Sequence, residues 1–261
     1  MAVITLTTDL GTKDYYVAAL KGNIYKELPD VSIVDISHDI DKYNIAQAAF
    51  VIKNCFQDFP KSSIHILGVR PEKTESIDHV LAQYKGHFFV GADNGIFSLI
   101  FDHPPEKVVA LNIRESLEGI NFPTKDVFVK AACHIARGGT PEIIGNTKNS
   151  INERTNFAAV VSPTSIRGFV IYIDSYGNVI TNITREIFNE VGKGRGFSIA
   201  FGNSRYTLNE IKNQYIDSVE GELLALFGSS GYLEIAICAG NAKELVGLHL
   251  THSVTIIFND R

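Results

Sequence analysis

Val3-Ile4-Thr5-Leu6-Thr7-Thr8-Asp9-Leu10-Gly11-Thr12-Lys13-Asp14 is the stretch that decides the fold. Residues 3–7 form an unbroken β-branched and apolar run, which fits a strand buried on both faces. Asp9-Leu10-Gly11 is a turn, and residues 15–25 have helical character. A strand that passes through a polar turn into a helix is the first half of a parallel crossover. Outward from it the alternation continues. Residues 31–36 read as a second strand, 45–55 as a second helix and 63–69 as a third strand. This pattern predicts an α/β layer with a mainly parallel sheet. Residues 87–91 and 95–100 flank a tight turn at Ala92-Asp93-Asn94. Residues 108–111 read as another strand, and 126–137 as a helix closed by Gly138-Gly139.

The pattern changes after Ser162-Pro163. Runs at 168–173, 196–201, 223–227, 232–237 and 254–258 are short and β-like, with turn residues between them. Residues 187–191 and 242–245 read as short turns of helix. This half is expected to be a smaller antiparallel β-barrel or sandwich. The domains are therefore placed at 1–155 for the α/β part and 163–261 for the β-barrel. Residues 156–162 serve as a linker region, and the polar stretch 149–156 leads into it.

Composition limits the partners. The chain has 261 residues, 45% of them hydrophobic and 20% charged, which is globular and long enough for two cores. A formal net charge of −5 without a dense basic run excludes a phosphate-neutralising face, so no nucleic-acid partner is expected. Cys55, Cys133 and Cys238 are far apart and odd in number, which points to reduced, buried thiols. No signal-peptide pattern or membrane-length apolar run is found, and a cytoplasmic protein is expected.

Three segments can carry chemistry. Residues 7–14 follow a strand and open a helix, where α/β sheets line their ligand crevices. A carboxylate at Asp9 there can accept bonds from the hydroxyls of a ribose. The plain alternative is a helix cap. The segment has too few glycines for a phosphate cradle, so a nucleoside fits better than a nucleotide. Asp174-Ser175-Tyr176-Gly177-Asn178-Val179-Ile180-Thr181-Asn182 combines a carboxylate, an aromatic plane and carboxamides, which suit a base; its alternative is an ordinary turn. Ser229-Ser230-Gly231-Tyr232 offers small polar groups before a strand. Asp35, Asp39 and Asp41 with His38 form an acidic cluster, but their spacing matches no metal loop, and no metal is expected. His134 on its apolar helix reads as a satisfied core histidine.

These segments together resemble the S-adenosylmethionine-cleaving family that contains the SAM hydroxide adenosyltransferases, the fluorinase and the chlorinase. The markers are Thr8-Asp9-Leu10-Gly11, Ala92-Asp93-Asn94-Gly95, residues 174–182, and Ser229 through Ala236. The resemblance implies an α/β domain followed by a β-barrel, and a homotrimer with sites between neighbouring subunits. It implies a pocket in which Asp9 binds the ribose and Tyr43 packs on the substrate. Asp174 would hold the methionine ammonium, Tyr176 and Asn178 would flank the adenine, Ser229 would contact the methionine carboxylate, and Ala239 would offer its backbone to the adenine. S-adenosylmethionine is then substrate or ligand, with no further cofactor.

The chain departs from the family where water is activated. The hydrolytic members carry an Asp, an Arg and a His around the attacking water. In the alignment with this chain those places are taken by Arg70, Ile77 and Pro123. Thr124 aligns with the halide-contacting serine of the halogenases. Arg70 and Thr124 are therefore the candidates beside the nucleophile, since a guanidinium attracts an anion at any working pH. The expected reaction is displacement at C5′ by water or a small anion. It would yield adenosine or a 5′-substituted adenosine plus methionine. The alternatives are a non-catalytic binder of S-adenosylmethionine or adenosine, and transfer of the adenosyl group to a larger nucleophile.

Overall fold

The computed structural model describes residues 2–113, 121–155, 158–202 and 206–259. The chain forms two compact units, Met1–Thr155 and Asn156–Arg261. Part of the stretch read as a linker, residues 156–157, lies outside the described residues.

The first unit is an α/β layer. Its strands are β1 (Val3–Thr8), β2 (Ser32–Ser37), β3 (Ile64–Gly68), β4 (His79–Tyr84), β5 (His87–Ala92), β6 (Lys107–Leu111) and β7 (Gly145–Thr147). Its helices are α1 (Tyr16–Glu27), α2 (Ile45–Lys53), α3 (Ile96–Ile100) and α4 (Val129–Ala136). The sheet order is β2-β1-β3-β5-β4-β6-β7. It is parallel across β2, β1, β3 and β5, and continues antiparallel through β4, β6 and β7. Strand β1 lies between β2 and β3, so both its edges are paired, and both its faces are covered, with Ile4, Thr5, Leu6 and Thr7 all buried. This is why its sequence does not alternate. Helix α2 buries Ile45, Ala48, Ala49 and Ile52, the spacing of one helical face, and Asn44 caps it by accepting from Gln47 N at 3.1 Å.

Three local readings change. Ile96–Ile100, read only as flanking the 92–94 turn, is the helix α3. The antiparallel partner of β5 is β4, whose residues the sequence pattern did not single out. The helix read at 126–137 begins as a wider π-type turn over Thr124–Phe128 and becomes α4 at Val129. His134 is half-buried rather than in the core, with Nε2 3.0 Å from the Thr140 carbonyl. Cys133 is buried, whereas Cys55 and Cys238 are half-buried, and all three thiols are free. Before residue 156 the polar stretch is tied down. Asn152 donates to the Asp93 carboxylate and carbonyl and to the Ser76 carbonyl. Asp93 itself is fully buried and paired with Lys148 at 2.9 Å.

The second unit is an antiparallel, nearly closed barrel. Its strands are β8 (Val160–Val161), β9 (Ser165–Ile173), β10 (Val179–Thr184), β11 (Phe197–Phe201), β12 (Tyr206–Leu208), β13 (Leu223–Phe227), β14 (Tyr232–Ile237) and β15 (Ser253–Phe258), with helices α5 (Arg185–Gly192) and α6 (Ala242–Val246). Their order is β12-β11-β15-β9-β10-β14-β13, and β8 pairs with β9. Ile166, Val170, Val179, Ile199, Leu233, Ile235, Val254 and Ile256 turn inward and form its core. Strand β10 begins within the 174–182 segment read as a binding turn and runs on to Thr184; Val179, Ile180 and Thr181 are buried in it. No helix among the described residues is long and apolar enough to cross a membrane.

Candidate functional site

The candidate residues fall into two sets, one in each unit. In the first unit β1 and β3 run parallel with Thr8 opposite Gly68, so their C-terminal ends lie side by side. Asp9 follows β1 and is only 7% exposed. Its Oδ2 accepts from Tyr43 N at 2.8 Å, and Lys42 Nζ donates to its carbonyl. Gly11 N donates to the His38 carbonyl at 2.7 Å. The loop of residues 38–43 therefore grips the Asp9 turn through long-range bonds. Tyr43 has a left-handed backbone, φ +66°, and its ring is 66% exposed. The backbone thus serves Asp9 while the ring faces outward. Asp9 Oδ1 takes no hydrogen bond among the described residues.

Thr124 is buried beneath this edge. A β-carbon on Gly68 would lie 2.7 Å from the Thr124 methyl and 3.1 Å from the Thr8 methyl, so only glycine admits both. Thr124 Oγ1 is buried without a hydrogen-bond partner among the described residues. A buried hydroxyl without a partner costs about 1–3 kcal/mol, which marks it as a place for a ligand or water. Arg70 is exposed, with φ +46°. Asn94 Nδ2 holds its carbonyl at 2.9 Å and that of Val69 at 3.1 Å. No hydrogen bond or ion pair among the described residues ties the Arg70 side chain to Asp9 or Thr124. Ile77 packs against the core that contains Leu6, Ile66 and Phe128. Pro123 is buried with φ −55° and ψ −38°, already set for the turn that follows. Neither can move a proton.

In the second unit Asp174 organises its own turn. Its Oδ1 accepts from Tyr176 N at 3.0 Å and from Asn178 N at 2.8 Å, and its Oδ2 accepts from Asn178 Nδ2 at 2.9 Å. A carboxylate has about four lone-pair sites, so room for another donor remains on Oδ2. Gly177 has φ +83°, and a β-carbon there would collide with Asn241, the residue that caps α6. Lys243 N also donates to the Gly177 carbonyl at 2.9 Å. Tyr176 is 76% exposed and Asn178 is buried. Ser229 is exposed at the tip of the β13–β14 hairpin, which Gly228 N closes on the Tyr232 carbonyl at 3.1 Å. Ala239 holds a left-handed backbone, φ +53°, in the turn after β14. That conformation costs a non-glycine residue about 1–2 kcal/mol. Its backbone makes no hydrogen bond with the described residues.

Two groups escaped the sequence reading. Glu234 sits within β14 as an inconspicuous strand residue, and Tyr215 Oη donates to its Oε2 at 2.7 Å. Burial pushes the Glu234 carboxyl above its ordinary range; Tyr215 opposes the rise and the Asp174 charge adds to it. The second group is His38, read as part of an acidic cluster. Its Nδ1 lies 2.7 Å from Thr8 Oγ1 and its Nε2 lies 3.1 Å from Asp35 Oδ1. Among the described residues no group of three or more His, Cys, Asp or Glu side chains is placed to hold a metal ion.

Comparison with known proteins covers both units. Residues 4–145 match the SAM hydroxide adenosyltransferase N-terminal domain, and residues 168–255 match the C-terminal domain. An (R)-S-adenosyl-L-methionine hydrolase of Methanocaldococcus jannaschii is 28% identical over 266 residues, covering 98% of this chain and 96% of that one. A fluorinase of Actinopolyspora mzabensis is 23% identical over 297 residues, covering 96% of this chain and 97% of that one. The crystal structure of an uncharacterized conserved protein from Thermotoga maritima has the same fold, with a TM-score of 0.89 at 24% identity over 98% of this chain and 100% of that one. With both domain models matched in order along the chain, this protein belongs to the SAM hydroxide adenosyltransferase family.

Proposed function

We propose that the protein binds S-adenosylmethionine and cleaves it by nucleophilic displacement at C5′. Water or a small anion is the nucleophile, and the products are methionine and adenosine or a 5′-substituted adenosine. The observation that carries this reading is that the likeness to SAM-cleaving enzymes runs through both units, so the Asp9 loop and the Asp174 turn are kept together. A sulfonium leaves readily, so the protein needs to hold nucleophile, C5′ and sulfur in line and to keep other water out.

The roles follow from what each group has free. Asp9 Oδ1 accepts from the ribose hydroxyls while Tyr43 N occupies Oδ2. The exposed Tyr43 ring packs on the substrate. Asp174 takes the methionine ammonium on its remaining lone pair. Tyr176 and Asn178 flank the adenine, with Ala239 offering its unpaired backbone, and Ser229 meets the methionine carboxylate. The Thr124 hydroxyl contacts the nucleophile, and Arg70 attracts it if it is an anion. No cofactor or metal takes part. The protein works in the cytoplasm as a homotrimer with sites shared between subunits. The test is incubation with S-adenosylmethionine, with and without halide, and chromatography for methionine. Release no faster than that of an Asp174→Ala variant sinks the reading.

One observation favours a second reading, a non-catalytic binder of S-adenosylmethionine or adenosine. An exposed Arg70, a half-buried Ile77 and a buried Pro123 stand where hydrolytic relatives activate water, and two of the three carry no charge. Titration calorimetry separates the two, since binding without turnover supports the second.

A further inference from the structure

We infer that His38, braced by Asp35 and acting through Thr8, is a positioning residue that aims the Asp9 carboxylate and so sets the preference for a ligand with ribose hydroxyls. The inference rests on the reading of Asp9 as the ribose contact.

The geometry begins with a register shift. Along β1 and β2, Leu6 pairs with Asp35 but Thr7 pairs with Ser37, so β2 carries one extra residue. A bulge of this kind re-aims the side chains that follow it. Here it brings His38 opposite Thr8, with Nδ1 2.7 Å from Oγ1, in a fully buried contact. On the other side of the ring, Nε2 lies 3.1 Å from Asp35 Oδ1, at an ion-pair distance but off the best hydrogen-bond line. Lys21 holds the second oxygen of Asp35 at 2.5 Å. Partial burial works against the Asp35 charge, but Lys21 and His38 outweigh it and keep the carboxyl below its ordinary range.

An ionised carboxylate only accepts, so Asp35 beside Nε2 favours the tautomer with its proton there and Nδ1 bare. The Thr8 hydroxyl must then donate to Nδ1. That turns the Thr8 lone pairs away from the ring, where Leu10 N donates to them at 3.3 Å. The His38 carbonyl meanwhile accepts from Gly11 N at 2.7 Å. His38 thus anchors the turn on both sides of Asp9, through its ring before and through its backbone after. The strand ladders already hold β1, so the relay's end point is the turn and not the sheet. With the other tautomer, Nδ1–H and Leu10 N–H would take both lone pairs of Thr8 Oγ1, and the Thr8 hydrogen would be buried without an acceptor.

The test compares two substitutions that both remove the ring. Asn places an acceptor where Nδ1 stood, whereas Gln places its polar end where Nε2 stood. Calorimetry measures adenosine and 2′,3′-dideoxyadenosine on the parent, His38→Asn, His38→Gln and Asp35→Asn. The quantity read is the ratio of the two dissociation constants. The parent is expected to favour adenosine by at least about tenfold, the strength of hydrogen bonds to a charged group. His38→Asn should keep that ratio within about twofold, and His38→Gln should lower it by about tenfold with the dideoxy affinity little changed. Asp35→Asn, at a partly exposed site, should lower it about threefold and decides the matter if the Gln variant does not fold. Equal ratios in the Asn and Gln variants, or a parental ratio in Asp35→Asn, overturn the inference while leaving Asp9 as the ribose contact. A parent with no preference for adenosine overturns the reading of Asp9 itself.

Discussion

Asp9 and Asp174 are both carboxylates in turns at strand ends, yet they are held in opposite ways. Asp174 is held by itself: its side-chain bonds reach no further than Asn178. Asp9 is held from outside, by Tyr43 N and Lys42, while His38 anchors the residues around it. The local turn forms once five residues satisfy their own backbone. The other carboxylate gains its place only after β1 and β2 have paired. The local arrangement uses both oxygens of Asp174 on the protein. The long-range one leaves one oxygen of Asp9 for something else.

The strongest way to break this comparison is to remove each carboxylate in turn. Asp174→Ala and Asp9→Asn should each lower kcat/KM for S-adenosylmethionine cleavage about a hundredfold, the loss of two or so charged hydrogen bonds. Only Asp174→Ala should also lower the melting temperature markedly, because it orphans three donors of its own turn. Equal melting of the two variants would erase the contrast.

Acid should then separate the two units. Burial, with His87 adding to it, pushes His65 down to about 3. An unfolded histidine takes its proton near about 6.5, so below that pH the unfolded state holds more protons and the first unit loses stability, until about pH 3. Glu234 has the opposite sign. Its carboxyl is raised, so over the window from its ordinary value up to the raised one the folded state holds more protons and the second unit gains stability as pH falls. Amide exchange at pH 7 and pH 5 should show faster opening in β1 and β3 and no such loss in β14. His65→Asn should flatten the response of the first unit.

A smaller effect sharpens the local side. Gly177→Ala forces a β-carbon into Asn241 at a left-handed φ and should cost about 2 kcal/mol in urea unfolding. The smallest effect is expected at Arg70→Ala. The side chain is exposed and bonded to nothing described, so stability should change by less than about 0.5 kcal/mol. If cleavage also stays unchanged over a range of halide concentrations, Arg70 has no part in attracting the nucleophile.

Both units were legible because their patterns differ in kind. The unbroken β1 run and the spaced apolar face of α2 announce a covered sheet and its helix, while short strands between turns announce the barrel. The places that misled share one cause. The apolar residues of Ile96–Ile100 suit strand or helix equally, and only Gly95 with φ +96° and the packing of Phe97 and Ile100 choose helix. Strand β10 was hidden by the polar turn before it. Of the candidate residues, Asp174 and Asn178 are explained by their neighbours in sequence, whereas Gly177 also makes room for the distant Asn241. Glu234 and His38 are not, because Tyr215 meets Glu234 and Thr8 meets His38 only once the chain has folded.

The sequence by itself determined the plan of an α/β unit followed by a β-barrel, the turn at Asp174 and the residue types offered to a ligand. These depend on hydrophobic period and on bonds between near neighbours, and both can be read along the chain. Tertiary structure decided which of those residues has an atom to spare. Asp9 keeps a free oxygen among the described residues, Thr124 a buried hydroxyl without a partner among them, and His38 a buried contact with Thr8. Each of these depends on which distant donor or acceptor the fold brings within about 3 Å, and only the folded chain settles that.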